Sequence, residues 1–329
     1  MTQEEETLIK SNRRILSIDI FKGLTVLLMV FVNSIQLYED VPAWTKHAGD
    51  YGLTYVDLVA PFFVFMLGLN LNNSYKRRVQ KEGKNKARLR YTRRFLIFIG
   101  IGLILTMYID VNEFFFRWGT LQVLGTSGLM LLPLLGLKPY LKLIFAIIFM
   151  GFHQFLIYTP INLLIYDSIE GGVLGIFSWG SMMILSSFLA EGLDKERKHI
   201  KKYFLFGGFI CLVIGIGSAF LLGISRDYIS LPYILISVGI ASILYYFLYY
   251  VYEIWGVNYS LVKKERIFSA VGKNAFLFYL IHVVIVYVGY TIFPFDTPSI
   301  IIFPFAILHA VFTWVIAYYL NKMRIFVII

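Results

Sequence analysis

Cysteine is almost missing from this chain. Cys211 stands alone among 329 residues, so no internal disulfide can form and no Cys-rich zinc site is available. Charge is scarce as well: 15% of residues are charged and 58% are hydrophobic. A water-soluble domain of this length cannot cover so much apolar surface with so few charges. The sequence has no P-loop, no GxGxxG after a strand, no serine nucleophile elbow, and no His or Cys cluster at metal-ligand spacing. It shows no repeat and no heptad run. The start, MTQEEETLIKSNRR, is acidic and lacks a small-residue cleavage site, so the first apolar stretch is expected to be kept as an anchor.

What is present is length in apolar runs. Ten of them lie near 18–38, 53–74, 94–110, 119–136, 141–159, 173–191, 203–223, 231–252, 270–292 and 300–320. Crossing a hydrocarbon core takes about 20 such residues. The expected fold is therefore all-α: one polytopic membrane domain over 1–329 with about ten transmembrane helices. The runs at 94–110 and 119–136 are the shortest. With the N-terminus inside, 27 of the 30 Lys and Arg fall on the inner side, and only Lys46, Arg117 and Arg226 fall outside. Positive residues mark the cytoplasmic face, so both termini are expected in the cytoplasm, with the protein in the cell (plasma) membrane. The same sorting accounts for the net charge of +10 through contacts with membrane lipids, and it argues against a nucleic-acid partner. The longest inner connection, KRRVQKEGKNKARLRYTRR (76–94), reads either as an orienting loop or as a phosphate site at the cytoplasmic mouth.

Polar residues near apolar runs are the candidates for function, because hydrocarbon penalises an unused polar group. Asp19 and Lys22 are three apart and share a helix face near the inner surface. Asn33 lies about 21 Å further along the same helix than Asp19, near the outer end. Asp57 opens the second run, and Pro61 is expected to kink that helix and free a carbonyl. His47 sits in the connection between them, EDVPAWTKHAGDYG (39–52), which has the Pro and Gly content of a folded-back loop. Read alone, His47 is equally a surface histidine and Asn33 equally a packing amide. Together, an imidazole, an amide and a carboxylate are the parts of acyl transfer: a base, an oxyanion donor and a group that orients the base. His153, His282 and His309 also lie in or near spans. The outer connections hold nine acids against three bases, either an attraction for cationic acceptors or simple depletion of bases there.

From Arg14 to Leu71 the chain resembles the heparan-α-glucosaminide N-acetyltransferase family. The matching elements are S-x-D-x-F-K-G-L (17–24), V-F-V-N (30–33), K-H-A (46–48) and G-L-T-x-x-D-L-V-x-P-F-F-V-F (52–65). Y-T-R-R-F-L (91–96), G-T-L-Q (119–122), E-G-G-V-L-G (170–175), G-K-N-A-F-L-F-Y-L-I-H (272–282) and I-A-Y-Y-L-N-K-M-R-I-F (316–326) follow in order. Lys22 stands where the family pattern has arginine, and the segment around Arg117 is one residue short of that pattern.

The resemblance implies a membrane enzyme that takes an acetyl group from cytoplasmic acetyl-CoA and gives it to an amino sugar, or to a sugar hydroxyl, on the outer side. It puts His47, Asn33 and Asp57 at the catalytic positions. Lys22, Arg93 and Arg94 are assigned to the phosphates of acetyl-CoA, with Asp19, Gln122, Asn274 and His282 as further binding residues. The implied partners are acetyl-CoA, a sugar acceptor and lipid, with a homodimer left open. A transporter or flippase of a sugar or lipid-linked glycan is the alternative, since many spans with intramembrane polar groups would also suit it.

Overall fold

Eight helical segments among the described residues are long and apolar enough to cross a membrane. The computed structural model describes residues 15–49, 51–109, 114–166, 168–193, 198–259, 262 and 265–327. The start up to Arg14, and Asp50, Asp110, Glu113 and Asp167 of the acidic outer connections, lie outside the described residues. The eight segments match eight of the ten expected runs. The other two are helical but differ: α3 (Lys84–Leu105) is basic through its first half, and α4 (Thr120–Leu131) has only 12 residues.

α1 is Leu16–Asn33, and the Ser17 N–H at its start donates to Glu253 Oε1 at 3.2 Å, a carboxylate placed where the helix dipole favours one. α2 (Val59–Glu82) follows a 3₁₀ turn at Val56–Leu58. Pro61 falls in the first turn of α2 and does not kink a span. It does free a carbonyl: that of Asp57, four residues back, accepts the Tyr233 hydroxyl at 2.7 Å.

The stretch expected as a long inner connection is two helices. α2 runs on to Glu82, Gly83 turns the chain at φ 82°, and α3 starts at Lys84. Lys and Arg are good helix formers, and Arg78 pairs with Glu82 one turn on at 2.9 Å. After α3 a short antiparallel hairpin, β1 (Met107–Ile109) and β2 (Phe114–Phe116), leads to α4. Apart from a five-residue helix at Asn162–Tyr166, the remaining α-helices among the described residues are α5 (Pro139–Ile157), α6 (Ile176–Leu189), α7 (Gly207–Leu222), α8 (Leu231–Tyr249), α9 (Phe268–Lys273), α10 (Ala275–Ile292) and α11 (Ser299–Lys322).

α6 is the most enclosed helix and packs against α2, α4, α5 and α8. α1 is lined by α2, α8, α9, α10 and α11. Phe21, Phe65, Trp179, Tyr233 and Tyr245 fill the space between them without solvent contact. α7, α10 and α11 turn large apolar side chains outward, among them Phe220, Leu221, Val284, Tyr287 and Ile300, as a lipid-facing surface requires. The chain is an all-α, multi-pass membrane protein.

Close approach fixes one crossing. A Cβ on Gly23 would lie 1.8 Å from the Phe268 carbonyl oxygen, and one on Gly272 would lie 1.8 Å from that of Asp19. Glycine at both positions lets α1 and α9 touch backbone to backbone.

Candidate active site

The connection from α1 to α2 folds back on itself because of one carboxylate. Asp57 is buried, and its Oδ2 accepts the backbone N–H groups of Thr54 at 2.8 Å and Ala48 at 3.2 Å. The Thr54 hydroxyl lies between the Lys46 carbonyl, at 2.8 Å, and Asp57 Oδ2, at 3.1 Å. The Thr54-x-x-Asp57 spacing thus closes half of a capping box at the start of the 3₁₀ turn. Residues 46–48 are pinned against it, and His47 is held between.

His47 Nδ1 lies 2.7 Å from Asp57 Oδ1. A carboxylate oxygen accepts, so Nδ1 carries the hydrogen and Nε2 keeps a lone pair. The His47 side chain leaves 35% of its surface open, while that of Asp57 is fully buried. Hydrogen bonds to a charged group contribute about 1.5–3 kcal/mol each, so the imidazole is held in one orientation.

Asn33, the last residue of α1, is set from behind. Its Nδ2 donates to His282 Nε2 on α10 at 3.1 Å, and its Oδ1 accepts Gln36 Nε2 at 3.1 Å. The other ring nitrogen of His282 donates to the Tyr279 carbonyl, which fixes Nε2 as the acceptor. The Asn33 amide therefore retains one hydrogen beyond these contacts. Its backbone carbonyl takes the Tyr290 hydroxyl at 2.6 Å. The next residue, Ser34, accepts from His309 Nδ1 at 2.9 Å and donates to the Val30 carbonyl at 2.7 Å.

Asn33, His47 and Asp57 line one cavity of about 190 Å³. Typical ligand pockets span about 300–1,000 Å³, so this one fits a single small sugar or an acyl tip better than a whole coenzyme. Met29, Phe63 and Tyr279 also line it, and the Phe63 and Tyr279 rings meet edge to face with centroids 6.5 Å apart.

Gln36, Thr120, Glu170, Arg226 and Tyr233 complete the polar lining, and sequence reasoning assigned none of them to the site. Glu170 and Arg226 figured in the tally of outer charges, and Glu170 also opens the E-G-G-V-L-G block, with no role assigned to either. Arg226 reaches Glu170 Oε1 at 3.3 Å and Asp227 Oδ1 at 3.2 Å. Burial opposes its charge, but the carboxylates of Glu170, Asp227 and Asp57 outweigh that and push the guanidinium above its ordinary range. His153 ties the two loops together, with Nδ1 3.2 Å from the Leu174 carbonyl and Nε2 2.9 Å from that of Tyr228. The Gln122 and Tyr233 signals differ: Tyr233 was one of 23 tyrosines and carried no mark.

The residues assigned to acetyl-CoA do not line this cavity. Gln122 is wholly engaged at the start of α4, accepting Gly119 N–H at 3.1 Å and donating to Thr106 Oγ1 at 2.8 Å and the Arg117 carbonyl at 3.1 Å. Asn274 holds the C-terminal segment, donating to the Ile325 carbonyl at 3.1 Å and accepting Val327 N–H at 2.8 Å. His282 acts one bond away, through Asn33. Lys22 and Asp19 lie near the start of α1, with Asp19 buried and Lys22 about 16 Å along the axis from Asn33. Arg93 is exposed on α3, and the Arg94 guanidinium lies over the Phe98 ring, 5.4 Å from its centroid. Lys142, counted as a topology charge, is instead buried, donating to Glu191 Oε1 at 2.6 Å, Asn72 Oδ1 at 2.9 Å and Ser187 Oγ at 3.3 Å. Among the described residues no group of three or more His, Cys, Asp or Glu is placed to hold a metal.

Residues 14–284 match the family model described as "Heparan-alpha-glucosaminide N-acetyltransferase, catalytic", a stretch that contains every residue lining the cavity. The chain is 40% identical over 95 residues to heparan-alpha-glucosaminide N-acetyltransferase of Homo sapiens, covering 28% of this chain and 14% of that protein. It is 37% identical over 105 residues to the enzyme of the same name from Mus musculus, covering 31% of this chain and 15% of that protein. The aligned stretch thus spans about one seventh of the length of these curated relatives.

Proposed function

This chain belongs to the heparan-alpha-glucosaminide N-acetyltransferase catalytic family, and from that membership we propose that it moves an acetyl group from acetyl-CoA to an amino sugar across the membrane in which it sits. One observation carries the reading: His47, held by Asp57 through Nδ1, lines the cavity that Asn33 also lines. Family membership does not favour the transporter alternative.

In the proposed reaction His47 Nε2 accepts the proton of the attacking group, and the spare Asn33 amide hydrogen faces the oxygen that becomes negative as the thioester carbonyl is attacked. Asp57 keeps the imidazole in the tautomer that has its lone pair at Nε2. An acetyl-histidine intermediate and direct transfer both use the same three residues. The basic end of α2 and α3, with Lys22, Arg93 and Arg94, suits the coenzyme phosphates by charge. We place that end in the cytoplasm from the sorting of Lys and Arg, with the cavity toward the outer face. The thioester then has to pass the Phe63 and Tyr279 rings to reach His47.

The test is transfer of radiolabel from acetyl-CoA to glucosamine by the purified protein. Label on the sugar, lost in His47→Ala with coenzyme binding kept, supports the reading. Coenzyme neither bound nor consumed at millimolar concentration refutes it.

A further inference from the structure

Glu170 is an unusual residue for the rim of a cavity. It keeps only 8% of its surface, lines the cavity, and has one carboxylate oxygen, Oε2, buried with no hydrogen-bond partner. A buried acceptor without a partner costs about 1–3 kcal/mol, more when charged, unless something occupies it. Its backbone is left-handed, at φ 55°, where a residue with a Cβ is uncommon. That conformation is held by packing. The Glu170 carbonyl accepts Trp179 Nε1 at 3.2 Å, and the neighbouring Gly171 fits under Ile229, whose side chain would lie 2.8 Å from any Cβ there.

Charge at the rim is lopsided. Glu170, Asp227 and Asp57 act on one guanidinium, Arg226, which reaches Glu170 only through Oε1. His47 must be neutral to accept a proton. The lining therefore has an excess of negative charge, and of its two acceptors buried without a partner, Gln36 Oε1 and Glu170 Oε2, only Oε2 carries charge. A neutral hydroxyl would satisfy the hydrogen bond but not the charge. A protonated amine satisfies both, as a charge-assisted pair.

Resting on the acetyltransferase reading, we propose that Glu170 is the docking group for the cationic amine of the acceptor, and that it makes the enzyme select amines over hydroxyls. The ammonium docks on Oε2. One N–H proton passes through His47 to water, and the nitrogen lone pair attacks the thioester carbonyl carbon. As the C–N bond forms, His47 takes a second proton from nitrogen. The C–S bond breaks, and the thiolate receives that proton from the imidazolium. Products are the N-acetyl sugar, CoA thiol and one proton in water. Arg226 positions Glu170 through Oε1.

The experiment measures thiol release from acetyl-CoA with glucosamine and with glucose, which has a hydroxyl in place of the amine. No transfer to either by the parental protein would refute the acetyltransferase reading itself. Given transfer, Glu170→Gln keeps the shape and the Arg226 contact but loses the charge. Its KM for glucosamine should rise about 10–100-fold, the fold equivalent of a lost hydrogen bond to a charged group, with a smaller change in kcat. A KM within twofold of the parental value would overturn the proposal. If the variant does not fold, the parental protein decides: glucosamine should compete for the cavity at least about tenfold more tightly than glucose, and equal affinities would overturn it.

Discussion

Asn33 on α1 donates to His282 on α10 across 249 residues of sequence, at 3.1 Å, and together with the Gln36 donation to its Oδ1 that bond sets which way the amide faces. The His282 ring is itself fixed by the Tyr279 carbonyl. His282 is therefore a positioning residue. Loss of its ring in His282→Ala should lower kcat on the order of 10²-fold, as expected for a reacting group that drifts by an ångström. Glutamine at 282 retains an acceptor and should recover part of the rate. Steady-state kinetics of both variants, with coenzyme binding as the control for folding, checks this.

The His47–Asp57 pair predicts a tautomer effect. In Asp57→Asn the new amide can point its NH₂ at Nδ1 and force the ring hydrogen onto Nε2, the atom that must accept a proton. Turnover should fall about 10²–10⁴-fold, similar to His47→Ala. Binding of acetyl-CoA, measured by thermal shift, should survive in both. A D57N protein with parental kcat would contradict the role given to the pair.

Phe63 and Tyr279 line the cavity and meet edge to face, and in the proposed reaction they stand on the path of the thioester. Phe63→Ala removes half of that ring pair and should let the thioester, and water, pass more freely. The expected result is faster release of CoA thiol in the absence of any acceptor, with slower productive transfer. Thiol detection with and without glucosamine separates the two.

At the other end, Lys142 is fully buried and depends on Glu191. Glu191→Ala leaves that ammonium without its anion and should destabilise the fold by about 3–5 kcal/mol. Lys142→Met removes the charge and its need together and should be much less harmful. Thermal unfolding of both variants in one detergent gives the comparison.

Helix content and the spans were legible because apolar length is a local property. The Asn33, His47 and Asp57 set was legible because two short connections force it together. Basic residues misled where propensity outran charge: 76–94 reads as a loop by composition yet extends two helices around Gly83. Gln122 and Asn274 matched motif blocks, but their amides are engaged by backbone groups and the Thr106 hydroxyl, partners that sequence cannot display. Glu170 and Arg226 were invisible as site residues because their pairing spans 56 positions and depends on a left-handed backbone and on the His153 link.

The paired glycines at 23 and 272 have a mechanical meaning. Helices whose main chains touch have little slack, so the rod that ends in Asn33 is braced at its foot by α9. In the proposed reaction, passage of the thioester then falls to rotation of side chains or to the helices around that rod, while the Asn33 amide keeps its place.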